Sequence, residues 1–217
     1  VGAPGSYTNA LTVASVDNDG MISAKLEIAG SSIVYAETLT NAIGTPFGNA
    51  SMTTLDTTAD GSGTAYPYLF IDGLGAEEDY AGMDLTGKIV FCKRGAINLV
   101  EKASTAAKLG AAATVIYNFE SGLINMDLSG YSYKAPAVFA SAAAGALAKE
   151  NGEVHTTAGG LTYYTGTVTV YGKETANYLQ SEYLSMSSFS SWGVPGDLSL
   201  KPEISAPGGS IYSVNGG

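Results

Sequence analysis

The sequence predicts an α/β fold, and three observations carry that prediction. A strand, a helix and a second strand follow one another with short links between residues 88 and 117. A further strand and helix follow at 137–151. Short apolar runs, rich in branched and aromatic residues and punctuated by glycine and proline, flank both units. Such runs are the mark of strands, while apolar residues recurring every three to four positions mark a helix.

Each element follows from its residues. Ala10 to Val16 is a short apolar run after a Gly/Pro-rich opening and reads as a buried strand. Asn18-Asp19-Gly20 supplies a turn, because Asn and Gly tolerate positive φ cheaply. Ala24–Ile28 and Ser32–Tyr35 read as a β-pair around Gly30. Residues 40–65 lack periodicity and are expected to form a long loop. Strands resume at Tyr66–Ile71 and Lys88–Cys92, separated by Glu77-Glu78-Asp79, read as a solvated loop. Leu99, Ala103, Ala106 and Ala107 line one stripe of a helix over 98–109. Asn98 with Glu101 has the spacing of a capping box, and Gly110 is the stop signal. Ala113–Tyr117 and Ala137–Ala140 read as buried strands. Ser141 is expected to cap a helix that runs to Asn151, before Gly152. Leu161–Tyr171 reads as one or two more strands. A strand–helix–strand unit with short links implies a right-handed parallel crossover.

Composition excludes several classes. The chain has 217 residues, 45% hydrophobic and only 14% charged, with 28 glycines. Disordered chains are charge-rich and apolar-poor, so a folded chain is expected. Ten Lys+Arg stand against twenty Asp+Glu, a net charge of -10. Nucleic acid is thereby excluded as a partner, because a phosphate backbone demands a basic face. No stretch reaches the ~18 apolar residues of a membrane helix. Cys92 is the single cysteine, so no internal disulfide can form. A lysine-poor, acidic chain rich in Gly, Ser, Thr and Tyr points to an extracellular bacterial protein. The chain opens on Val1 and closes on Gly216-Gly217, which reads as an excised fragment.

The residues of the central unit form a recognisable pattern. Arg94-Gly95, Leu99, Lys102, Ala106, Ala107, Gly110-Ala111-Ala112 and Val115-Ile116-Tyr117-Asn118 resemble the protease-associated (PA) domain. Ala135-Pro136-Ala137-Val138, Gly145 and Leu147 continue the likeness, which covers about 60–155. It implies a β-sandwich or open barrel with two or more flanking helices. The two ends resemble another family. Ser188-Phe189-Ser190-Ser191-Trp192-Gly193 and Lys201-Pro202-Glu203-Ile204-Ser205-Ala206-Pro207-Gly208-Gly209 resemble subtilisin-like serine proteases just before their nucleophile. Glu203 stands where aspartate is more usual, and Val194 interrupts the common Trp-Gly-Pro. Val1 to Gly5 with Ala10 to Asp17 resembles the segment after the oxyanion-hole asparagine of that family.

Taken together, the resemblances imply three segments. Residues 1–19 are a subtilase-like segment, 20–184 an inserted PA domain and 185–217 a subtilase-like segment ending just before the catalytic serine. They imply an accessory PA domain of a secreted or cell-wall subtilisin-like endopeptidase, whose partners are protein or peptide substrates. The terminal strands come from a subtilisin-like α/β domain, and unpaired strand edges invite self-association. The resemblance also implies that Val1, Gly2, Ala3 and Pro4 line a substrate pocket, although Gly2 and Gly5 equally allow a plain tight turn. No cofactor is expected, beyond a weak calcium or sodium ion in the parent protease.

Catalytic and metal motifs are absent from the sequence. A Ser–His–Asp triad needs an imidazole base beside the serine. The one histidine, His155, sits in Glu153-Val154-His155-Thr156 with no serine elbow and reads as a surface or turn residue. The fragment is therefore expected to be inactive. Asp17-Asn18-Asp19-Gly20 fails as a calcium loop, because Met21 and Ile28 occupy ligand positions. Thr86-Gly87-Lys88-Ile89 lacks the hydroxyl of a phosphate loop. Cys92 lies in an apolar strand and reads as a buried small hydrophobe. The alternative function is an adhesin or glycan-binding module, motivated by acidity, by polar loops and by tyrosines such as Tyr131, Tyr133, Tyr163 and Tyr164.

Overall fold

The structure, a computed structural model, describes residues 7, 9–17, 20–38, 50–120, 122–178, 186–187, 189–191 and 198–209. The chain divides into two compact units. One is Ser23–Thr175; the other comprises the described residues before 23 and after 175.

The strands in chain order are β1 (Val13–Asp17), β2 (Gly20–Ser23), β3 (Lys25–Ile28), β4 (Ser31–Glu37), β5 (Thr64–Phe70) and β6 (Ile89–Lys93). They continue with β7 (Ala113–Tyr117), β8 (Ala137–Ala140), β9 (Glu153–Thr156), β10 (Thr162–Val170), β11 (Thr175–Tyr178) and β12 (Ile204–Gly209). The helices are α1 (Leu99–Lys108) and α2 (Ala142–Glu150).

The larger unit is a barrel of seven strands in the order β3-β4-β8-β7-β6-β5-β10, with β10 returning to β3. The strand β10 makes the closure. One of its edges pairs antiparallel with β5 from Tyr164↔Phe70 to Val170↔Thr64. Its other edge holds β9 at Thr162–Thr165 and then β3 at Thr169 and Val170. The strands β5, β6, β7 and β8 run parallel to one another, and β6–α1–β7 is the parallel crossover unit that the sequence predicted.

Side chains alternate between two apolar clusters. Tyr68, Phe70, Ile89, Phe91, Val115, Tyr117, Val138, Val168 and Val170 fill the barrel interior. Phe70 stacks on Tyr117 with centroids 5.2 Å apart, and Tyr68 meets Phe91 edge-on at 5.6 Å. Leu69, Val90, Cys92, Ile116 and Phe139 face the other way, packed with Ala103 and Ala106 of α1. Burying each large side chain contributes roughly 1.5–3 kcal/mol. The second helix belongs to the interior cluster, through Ala144, Leu147 and Ala148. The Tyr68 hydroxyl donates to the Ala148 carbonyl at 2.7 Å and ties α2 to β5.

Some local expectations need correction. Asn98 occupies the N-cap of α1, but its side chain makes no capping bond. Its carbonyl instead accepts from the N–H groups of Glu101 and Lys102, both at 3.1 Å, so the side chain is left exposed. Ser141 also precedes α2 without a side-chain cap. The expected loop at 40–65 contains a short 3-10 helix at Met52–Leu55, because the Met52 side chain is drawn into the barrel interior. Of that loop, 40–49 lies outside the described residues. Glu77–Tyr80 is a 3-10 helix rather than a loop: Glu77 and Glu78 are solvated as expected, while the Asp79 carboxylate turns back to accept from Gly75 and Ala76. His155 lies on β9, half-buried, with its ring stacked on Tyr163 and its Nε2 2.8 Å from the Thr165 hydroxyl. The antiparallel register places His155 directly opposite Tyr163, which is why it is not a loose surface residue.

In the smaller unit β1 pairs parallel with β12, from Val13↔Ile204 to Asp17↔Gly209. A separate two-stranded sheet joins β2 and β11. Among the described residues no helix is long and apolar enough to cross a membrane.

The fit of α2 against β7 leaves no room for a methyl group. A Cβ on Gly145 would stand 2.4 Å from the Tyr117 ring. Gly145→Ala is expected to cost about 1–3 kcal/mol by overpacking. Thermal melting should read this as a Tm lowered by roughly 2–10 °C for a chain of this size.

Candidate functional site

The carboxyl ends of the parallel strands bring together the most distinctive polar groups of the larger unit. Asp72, Arg94, Asn118 and Ser141 follow β5, β6, β7 and β8 within two residues. The ladder runs on past the strands, because Arg94 N–H donates to the Tyr117 carbonyl at 2.8 Å and Asn118 N–H to Ala140 at 3.0 Å. In open α/β sheets, ligands bind outside the carboxyl ends of the parallel strands, and this edge is the corresponding place in the barrel.

Arg94 dominates the edge. Its Nη1 donates to Asn118 Oδ1 at 3.2 Å, and its guanidinium lies 5.2 Å from the centroid of the Phe119 ring. Asn118 is buried, and both ends of its amide are bonded. Its Oδ1 also accepts from Phe119 N–H at 3.0 Å, and its Nδ2 donates to the Gly122 carbonyl at 3.1 Å. A locked amide thus aims the guanidinium. Phe119 is 50% exposed and offers an apolar face beside it. Lys25, Lys88, Lys108 and Lys149 each pair with a carboxylate, whereas no carboxylate lies within ion-pair distance of Arg94 among the described residues. A guanidinium carries five donors in a fixed fork, so most of its capacity remains open to a partner.

Behind the edge, Cys92 and Lys102 are buried in the layer between β6 and α1. Burial pushes the Cys92 thiol up to about 11, although the nearby Lys102 ammonium pulls the other way. Burial also holds the Lys102 ammonium below its ordinary value. The tyrosines that the sequence singled out pack rather than project. Tyr131 is buried, and Tyr163 and Tyr164 lie against the two clusters.

In the smaller unit a polar network joins distant parts of the sequence. The Ser187 hydroxyl donates to Asp17 Oδ1 at 2.7 Å and lies 2.8 Å from the Ser15 hydroxyl. Ser15 N–H donates to Ser190 Oγ at 3.0 Å, and Thr12 N–H to Glu203 Oε2 at 2.8 Å. Lys201 donates to the Ala10 carbonyl at 2.6 Å and pairs with Glu203, which holds that carboxyl below its usual value. Two serines and a carboxylate meet here without an imidazole. The only histidine of the chain hydrogen-bonds to Thr165.

Val1, Gly2, Ala3 and Pro4, the expected pocket residues, lie outside the described residues. Among those described, no group of three or more His, Cys, Asp or Glu side chains could hold a metal. The Arg94–Asn118–Phe119 arrangement was not singled out as a site from the sequence. Its one signal there was a charged and an amide residue at the ends of adjacent predicted strands.

The barrel with two flanking helices is consistent with a PA-domain fold, and residues 54–148 match the family model described as "PA domain". The flanks widen the likeness. The chain is 37% identical over 147 residues to the Minor extracellular protease Vpr of Bacillus subtilis (strain 168), covering 65% of this chain and 16% of Vpr. It is 30% identical over 213 residues to the C5a peptidase of Streptococcus pyogenes serotype M1, covering 98% of this chain and 16% of that protein. It is 28% identical over 215 residues to the PII-type proteinase of Lacticaseibacillus paracasei, covering 98% of this chain and 10% of that protein. These relatives are subtilisin-like serine proteases that carry a PA domain, and this chain is similar to the stretch of each that it spans. It spans about one sixth of the length of Vpr and the C5a peptidase.

The thiol of Cys92 provides a test of the packing behind the edge. A buried thiol held near 11 has almost no thiolate at pH 8. Iodoacetamide at pH 8 should leave native Cys92 unlabelled and label it fully in denaturant, read by intact mass.

Proposed function

We propose that this chain is the accessory PA domain of a secreted or cell-surface subtilisin-like endopeptidase, with short catalytic-domain segments at 1–19 and 185–217. On this reading the PA domain governs which protein substrates reach the catalytic cleft. The Arg94–Phe119 surface is the contact that sorts them. The observation that carries this is an aimed guanidinium with no carboxylate within ion-pair distance among the described residues, set beside an exposed ring at the carboxyl edge of the barrel. A charged hydrogen-bond donor next to an apolar face suits an extended polypeptide segment, where Arg and aromatic anchors dominate binding. Similarity to proteases on both sides of the PA match supports the setting.

The same reading makes these 217 residues inactive alone. Nucleophilic catalysis needs serine, base and acid in contact, and the serine–carboxylate network at Ser15, Asp17 and Ser187 has no imidazole. In keeping with its relatives, the parent protein takes protein substrates and works outside the cell. A glycan-binding module is the less favoured reading, because the tyrosines that motivated it pack into the apolar clusters.

The purified 217-residue chain should release no fluorescence from labelled casein, and a measurable turnover would overturn the inactivity. In the whole protease, deletion of 20–184 should change kcat/KM for a folded protein substrate by about tenfold or more while a short peptide changes far less. Equal effects on both substrates would end the gating idea.

A further inference from the structure

Lys102 is the one lysine of α1 that points inward. It is fully buried, yet it takes part in none of the ion pairs among the described residues. Stripping water from an ammonium is costly, and an apolar side chain would fill the same space without that cost. What the ammonium alone provides is a donor, and it donates to the carbonyl of Leu74.

Leu74 stands in the turn after β5, and that turn is held from two sides. The Asp79 carboxylate accepts from Gly75 N–H at 2.9 Å and from Ala76 N–H at 3.1 Å, while Lys102 holds the carbonyl that precedes Gly75. The Leu74 side chain then lies on the backbone of Gly95, where a Cβ would stand 2.5 Å from Leu74 Cδ2. Gly95 directly follows Arg94. A continuous physical path therefore runs from the buried ammonium through Leu74 and Gly95 to the guanidinium at the edge.

We propose that Lys102 is a positioning residue for the Arg94 surface: by fixing the Leu74 carbonyl it sets the turn that Arg94 and Gly95 rest against, and so the aim of the guanidinium toward a protein substrate. This rests on the reading of that surface given above. Lys102 itself touches no substrate.

The test uses the whole protease with a folded protein substrate and a short peptide. Lys102→Met keeps the volume of the side chain and removes the donor. It should raise KM for the folded protein about fivefold with kcat nearly unchanged, because binding and not chemistry is lost. The ratio of folded-protein to peptide kcat/KM should fall by the same factor. Val170→Ala, which opens the barrel interior beside the amino end of β5 and away from the Arg94 edge, controls for stability and should leave that ratio unchanged. If Lys102→Met does not fold, Leu74→Ala removes the contact with Gly95 without touching the buried charge and should produce the same fall in the ratio. Arg94→Ala separates the two claims. If Arg94→Ala leaves folded-protein KM unaltered, the reading of the surface fails and this inference with it. If Arg94→Ala raises KM but neither Lys102→Met nor Leu74→Ala lowers the ratio, the positioning role alone is overturned. A ratio that falls equally in Val170→Ala would also overturn it, since general loosening would then account for the effect.

Discussion

The fold of the larger unit rests on one strand that serves three partners. Over Tyr164–Val170, β10 pairs with β5, while its opposite edge passes from β9 to β3. Without that hand-over the seven strands would form an open sheet with two bare edges and two faces to cover. With it, Val168 and Val170 join Tyr68, Phe70, Phe91 and Tyr117 in a common interior. Closure removes the edges that would otherwise seek partners, and it leaves β9 as a short outer strand. The parallel run β5-β6-β7-β8 is thereby held with its carboxyl ends in line, and the polar residues at those ends become neighbours.

That alignment explains why an arginine at the edge acquires a definite direction. A surface guanidinium on a free loop samples many positions. Arg94 instead follows a ladder strand, meets an amide that is itself satisfied by two backbone groups, and lies over a ring. The supporting charges are arranged from the inside. A buried ammonium takes one carbonyl and a partly buried carboxylate takes two N–H groups of the same short turn, so the backbone there has little freedom left.

The smaller unit shows a different economy. Residues 10–17 and 187–209 are far apart in the chain, yet they share a parallel strand pair, a serine–serine–carboxylate network and a lysine that bonds to both segments. A two-stranded parallel sheet with Val13 and Ile204 half-exposed on one face is a piece of a larger buried sheet in most settings, because parallel strands are usually covered on both faces.

The sequence alone determined the central helices and the buried strands beside them. The stripe of Leu99, Ala103 and Ala106 specified α1, and the runs at 113–117 and 137–140 specified buried strands, because local periodicity reports which face is apolar. The placement of Cys92 in an apolar strand was legible for the same reason. What only the tertiary structure decided was every relation that joins residues distant in the chain. Nothing in Glu153–Thr156 announces that His155 will lie opposite Tyr163, and nothing in Asn98 and Glu101 reveals that a backbone carbonyl takes over the cap. Likewise Arg94, Asn118 and Phe119 become one surface, and Lys102 a support for it, only once parallel pairing sets the ends of β6 and β7 side by side. Periodicity encodes burial, whereas register and closure arise from pairing between strands, and that pairing leaves no local trace in the residues that undergo it.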